Sequence, residues 1–257
     1  MLLLLALVWP GRLLAAPVVV RVLTYNIHHG EGTDGEFDLP RLASVIKSVE
    51  PDLVALQEVD EATARASGVD ELAELGRLTG MHAAFGKAMD FQGGGYGVGV
   101  LSRWTILSTE NRALPGSPDR EPRTALTAGV KMGDGGPLLQ FTCTHLDQGR
   151  ELGNRVAQAN ELNERLVRGE DLPTILAGDM NSGAETEVMQ ILDAQWTNVS
   201  PPDPPAVSLN GRPQYRVDYV LVRPSGRWRV VESTVVDAPV ASDHRPVLVV
   251  LEWDGDR

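Results

Sequence analysis

Asp179 and Asn181 stand one residue apart at the end of the apolar run PTIL, in the stretch LAGDMNS. Gly, Asp, Asn and Ser are turn formers, so the stretch alone reads equally well as a turn. The same placement recurs along the chain. Asn26 follows VRVLTY, Glu58 follows LVALQ, and His145 and Asp147 follow LLQFTCT. Asp218 lies inside RVDYVLV, and Asp243 and His244 precede RPVLVVLEW. Taken singly, each is an ordinary turn, capping or surface residue. As a set they ask for a common purpose, because a charge beside an apolar core costs on the order of several kcal/mol unless it is paired or metal-bound.

The types in the set narrow the chemistry. The chain has one cysteine and five histidines, so a zinc site of the usual Cys and His ligands is not indicated. Carboxylate and amide oxygens suit a hard cation, Mg²⁺ or Mn²⁺. Two separated histidines with carboxylates in the same set suit proton transfer near neutral pH. A cation, acid/base groups and an amide donor are what hydrolysis of a phosphate ester needs. No GxxxxGK[ST] loop is present, which argues against P-loop phosphoryl transfer.

Strand and helix signals alternate around these residues. VVVRVLTYN (18–26) and PDLVALQEV (51–59) read as strands. Between them, residues 38–50 carry Leu42, Val45, Ile46 and Val49 at helical spacing behind a capping Asp38. Residues 70–80 repeat the pattern and stop at Gly80. Residues 96–103 and 104–111 read as strands, and TALTAGVKM–GDGG–PLLQFTCTH as a hairpin. A helix is expected over 150–169, a buried strand in DLPTILAGDMN, and a short helix over 184–194. The Pro-rich 197–215 reads as a loop, and YRVDYVLVRP, WRVVESTVV and HRPVLVVLEW as closing strands. The pattern indicates one α/β domain over 18–257, with two sheets in the core and helices outside. Open sheets gather ligands at strand ends, so the polar set can converge on one cleft.

Bulk properties set the outer limits. The chain has 257 residues, 42% hydrophobic and 23% charged, which is ordinary for a globular protein. Its formal net charge of −12 disfavours a nonspecific grip on nucleic acid through phosphates. Cys143 sits in an apolar run and reads as a buried structural thiol, and His82 as a surface residue. The start, MLLLLALVWPGRLLAAP (1–17), is similar to a signal peptide, which would make the protein secreted or periplasmic. No Lys or Arg precedes its apolar run, and Pro10, Gly11 and Arg12 interrupt it, so a short apolar extension of a cytoplasmic protein is the alternative. No segment reaches the ~20 apolar residues of a membrane span. The sequence leaves the oligomeric state open.

Seven motifs in this order, TYNIHHG, LQEVD, YGVGVLSR, THLD, AGDMNS, DYVLV and SDHRPV, resemble the endonuclease/exonuclease/phosphatase (deoxyribonuclease I-like) superfamily over about residues 19–252. The resemblance implies a four-layered α/β sandwich of two mixed β-sheets packed face to face with helices outside. It implies Mg²⁺-dependent (or Mn²⁺-dependent) hydrolysis of a phosphoester by in-line attack of water. Glu58 and Asp243 would hold the cation with Asn26 beside them. Asp179 would position or deprotonate water, Asn181 would donate to a phosphate oxygen, and His244, oriented by Asp218, would contact the phosphate. His145 would be an acid or a transition-state donor, and Arg123 would fork onto the phosphate. Tyr96 would touch substrate. Val98 stands where many relatives carry Asn, and Asp147 where the sphingomyelinase pattern has a second His. His28 and His29 are either substrate contacts or turn residues. A small or lipid-derived phosphoester is the expected substrate, with endonuclease or exonuclease action on DNA or RNA, and an inactive binding module, as the alternatives.

Overall fold

Runs such as Val18–Asn26 and Leu53–Glu61 carry apolar residues on both faces because both faces are buried. Val20, Val22, Leu53 and Ala55 face one way, and Leu23, Tyr25, Val54 and Leu56 the other. The computed structural model describes residues 17–133, 135–167, 172–202 and 216–255. In these, β1 (Val18–Asn26), β2 (Leu53–Glu61), β3 (His82–Phe91), β4 (Gly94–Ser102), β11 (Trp228–Val235) and β12 (Val247–Trp253) form one sheet in the order β11-β12-β1-β2-β4-β3. The second sheet holds β5 (Ile106–Ala113), β6 (Thr124–Lys131), β7 (Leu138–His145), β8 (Thr174–Asp179), β9 (Thr197–Asn198) and β10 (Asp218–Arg223) in the order β5-β6-β7-β8-β10-β9. Both sheets are mixed, with one parallel pair at each centre: β1 with β2, and β7 with β8.

A parallel pair needs a crossover, and helices supply it on the outer faces. α1 (Leu39–Ser48) links β1 to β2, and α3 (Gly153–Leu166) links β7 to β8. The Asp38 side chain accepts the Arg41 N–H at the start of α1. α2 (Glu71–Thr79) has the same cap at Asp70 and ends on Gly80 in the left-handed region. α1 and α2 cover the first sheet through Leu42, Ile46, Leu72 and Leu75. α3 and α4 (Glu187–Asp193) cover the second through Ala159, Leu162, Val188 and Leu192. Between the sheets, Val22, Ala55 and Val100 pack with Phe141, Ile175, Ala177 and Val220. These four layers match the expected sandwich.

The structure corrects several boundaries. His82–Phe91 is a strand that no apolar alternation signals, because its residues, HAAFGKAMDF, include no β-branched side chain. It is an edge strand turned into β4 by Gln92 and Gly93, both at positive φ. α3 begins at Gly153 rather than 150, and α4 at Glu187 rather than 184. Thr197–Asn198 pairs with β10 inside the stretch expected as loop. Residues 1–16 of the start expected as a signal peptide or apolar extension (1–17), Asp134 of the hairpin turn and 203–215 of the Pro-rich run lie outside the described residues. Among the described residues, no helix is long and apolar enough to cross a membrane.

Candidate active site

Parallel pairing brings the chemistry to one rim. The β1–β2 pairing ends at Asn26 and Gln57, and the β7–β8 pairing at His145 and Asp179. β10 runs antiparallel to β8 and opens with Asp218 opposite Asp179. β12 runs antiparallel to β1, so the Asp243–His244 pair before it arrives at the same end. Asn26 then joins the sheets. Its Nδ2 donates to Glu58 Oε1 at 3.0 Å and to Asp179 Oδ2 at 3.4 Å.

Two backbone irregularities aim side chains at this rim. A bulge between Gln57 and Val59 inserts Glu58 as an extra residue at φ +57°. Gln57 therefore stays in the interface between the sheets, bonded to Thr24 and Cys143, while Val59 packs under the helices. Asn181 lies at φ +47°, with its N–H on Asp179 Oδ1 at 2.8 Å. His28 and His29 also have positive φ, in a 3₁₀ turn whose His28 N–H bonds Asn26 Oδ1. Positive φ is uncommon outside glycine and collects at functional sites.

Three donors surround one oxygen, Asp179 Oδ2: Asn26 Nδ2 at 3.4 Å, His145 Nε2 at 3.5 Å and His244 Nε2 at 3.7 Å. The two imidazoles differ in charge. His145 is buried beside the Arg123 guanidinium and near His244, and its pKa falls well below the usual value. That shift favours the neutral imidazole. Its Nδ1 faces Arg123 Nη1 at 3.0 Å. His244 is also buried, but the Asp218 carboxylate at 2.9 Å from its Nδ1, with Asp179 and Asp243 behind, outweighs burial and lifts its pKa to about 10. Asp179 is pushed up to about 7 by burial and the Asp218 charge, against His244 and the Asn181 N–H.

The other expected residues fall close by. Arg123 is 4% exposed and pairs with Glu121, while its Nε and Nη2 have no hydrogen-bond partner among the described residues. Buried donors of this kind are costly unless an anion accepts them. Asn181 Nδ2 donates to Leu146 O at 2.9 Å and lies 3.0 Å from His145 Nε2, which places the amide expected to reach a phosphate oxygen beside the same imidazole. Tyr96 is buried beside Arg123, and burial together with Glu58 and Glu121 raises its pKa, so it remains a neutral phenol. Asp147 holds the following loop through the Gly149 N–H, Arg120 and Asn154. Cys143 is buried and free, and His82 is exposed. Sequence reasoning missed Arg65, which stacks over Phe91 in a cleft that also includes Glu58. A larger cavity of about 560 Å³, between Ser117 and Asn154, contains none of the convergent groups.

Two donor sets could hold a cation. Asp179, Asp218 and His244 offer ligand atoms within 4.8 Å of one another. In that set His244 Nδ1 is already engaged by Asp218 at 2.9 Å. Glu58 and Asp243 are half-exposed carboxylates, Asp243 tied to the rim through Ser242, which also bonds Asn26 O. All-oxygen donors of that kind fit Mg²⁺ or Mn²⁺.

The family model for the endonuclease/exonuclease/phosphatase family matches residues 23–244. An uncharacterised protein of Escherichia coli K12, YbhP, is 32% identical over 173 residues, 63% of this chain and 66% of that protein's length. Among solved structures, an endonuclease/exonuclease/phosphatase from Beutenbergia cavernae is similar, with a TM-score of 0.77, 22% identity, and coverage of 92% of this chain and 72% of that one. A mannosyl-6-phosphatase from Bacteroides thetaiotaomicron has a TM-score of 0.74 and 20% identity, over 90% of this chain and 99% of that one.

Proposed function

Because this chain belongs to the endonuclease/exonuclease/phosphatase family, we propose that its rim hydrolyses a phosphoester by attack of water on phosphorus. The observation that carries this reading is the crowding of Asn26, His145 and His244 on Asp179 Oδ2. A carboxylate with a pKa near 7 is matched to accept a proton from water at neutral pH. Asp179 is the base. Asn26 donates to it, and the His145 and His244 imidazoles lie 3.5 and 3.7 Å from the same oxygen. His244, kept cationic by Asp218, and Arg123, with two buried N–H edges to spare, face the charge that builds on the phosphate oxygens. Asn181, with one amide N–H fixed on Leu146 O, has the other to donate to a phosphate oxygen.

Glu58 and Asp243 would hold Mg²⁺ or Mn²⁺, with Asn26 bracing Glu58. When bound, the cation supplies Lewis-acid compensation of the same developing charge. The net charge of −12 favours a small or lipid-derived ester over a polynucleotide, whose phosphates would be repelled. A leader that carries the protein to the periplasm or outside the cell fits the same reading.

Hydrolysis of bis-p-nitrophenyl phosphate with Mg²⁺ or Mn²⁺, with and without chelator, tests this. Release of p-nitrophenolate that chelator stops and Asp179→Asn abolishes is expected. No release with either metal overturns the reading and favours a binding module on the same fold.

A further inference from the structure

Beyond the reacting groups, a cleft of about 200 Å³ opens beside Glu58. His28, His29, Arg65, Met89, Phe91 and Gln148 line it, with Tyr96 and Glu121 at its inner end. We propose that this cleft binds the hydroxylated ring of a phosphorylated polyol, a sugar or cyclitol, and that Arg65 is its specificity-determining residue. The inference rests on the hydrolase reading above and narrows its substrate.

Arg65 is held in advance of any ligand. Its Nε and Nη2 grip the two oxygens of Asp60 at 2.6 and 2.8 Å, and Asp60 is fully buried. Thr63 Oγ1 donates to Asp60 as well, and the Arg65 N–H bonds Gln92 Oε1. The guanidinium carbon lies 4.7 Å over the Phe91 ring and 5.5 Å from the Tyr96 ring. That leaves Nη1, which has no partner among the described residues, on a side chain 29% exposed at the cleft. Because Asp60 neutralises the guanidinium, the free edge is a fixed hydrogen-bond donor more than a net positive charge, which suits a hydroxyl.

The other walls fit the same guest. Gln148, Glu121 and the two imidazoles offer donors and acceptors, and Phe91 and Met89 offer apolar surface for the C–H face of a ring. The volume is below the roughly 300–1,000 Å³ of sites for drug-sized ligands, so one ring fits and a dinucleotide does not.

The full chain, with Mg²⁺ or Mn²⁺, is assayed on bis-p-nitrophenyl phosphate, glucose 6-phosphate, myo-inositol 1-phosphate, thymidine 5′-monophosphate, and phosphatidylcholine vesicles containing phosphatidylinositol 4-phosphate. A polyol phosphate, free or vesicle-borne, should exceed the nucleotide in kcat/KM by about tenfold or more, the value of one hydrogen bond to a charged donor. The two arms tell a soluble substrate from a lipid headgroup. Arg65→Ala should raise KM for that polyol phosphate about tenfold, several times more than it affects bis-p-nitrophenyl phosphate. Arg65→Lys, which keeps a charge for Asp60 but loses the fork, should show the same KM effect, and carries the comparison if Arg65→Ala does not fold. Equal losses on all esters, or a preference for the nucleotide, overturn the ring subsite and leave the hydrolase reading intact. No hydrolysis of any ester by the wild type overturns both.

Discussion

Glu71 gives a prediction that depends on burial alone. It is fully buried in the first turn of α2, its Oε2 accepts the Asp60 N–H at 2.8 Å, and its Oε1 has no hydrogen-bond partner among the described residues. Burial, aided by the Asp60 charge and opposed by that N–H and by Arg65, pushes its pKa from 4.5 up to about 8. The folded protein therefore holds a proton here that the unfolded chain has released. Stability from this group is fully present below pH 4.5 and is lost as pH rises through about 8. Between pH 6 and pH 9 the folded state gives up about two pH units' worth of proton binding, or about 3 kcal/mol at ~1.4 kcal/mol per unit. Glu71→Gln keeps an acceptor for the Asp60 N–H and does not titrate. Urea unfolding followed by tryptophan fluorescence at pH 6 and pH 9 should show the wild type losing about 3 kcal/mol more than the variant. Parallel pH dependences would mean that Glu71 is already ionised in the folded protein, and the reasoning from burial would fail. The contact matters for function because it secures the segment that carries both Glu58 and the Asp60 anchor of Arg65.

Asp179→Asn and His244→Ala should each lower kcat on bis-p-nitrophenyl phosphate by at least about 10²-fold while circular dichroism remains that of the folded protein. Gly178→Ala should destabilise by more than about 3 kcal/mol in urea melts, since a Cβ there would lie 2.0 Å from Thr144 O on the neighbouring strand. Mg²⁺ at a hundredfold excess over its Kd should stabilise the wild type by about 3 kcal/mol in thermal melts, and Glu58→Gln should lack most of that gain.

Much of this was legible in the sequence because the buried strands announce themselves. PTIL and LVAL are apolar on both faces, and the carboxylates that the rim presents, Asp179 and Glu58, follow within a few residues of each run. The rest depended on contacts that sequence order hides. The β3 strand was missed because an exposed edge strand needs neither alternation nor β-branched residues. The sequence could name His145 and His244 as a pair, yet their opposite charges follow from Arg123 beside one and Asp218 beside the other, partners 22 and 26 residues away. Asp147, unassigned from its motif, holds a loop because Gly149 and Asn154 turn back onto it. Arg65 lies in a stretch, EATARASG, whose composition reads only as a loop; its role depends on Asp60 and Phe91 flanking it in space.

Diffraction at the manganese edge from crystals grown with Mn²⁺ and phosphate tests the central claim most directly. The account predicts an anomalous peak bounded by Glu58 and Asp243, with the phosphate between it and Asp179, Arg123 and His244. A peak seated instead on Asp179, Asp218 and His244 would contradict it.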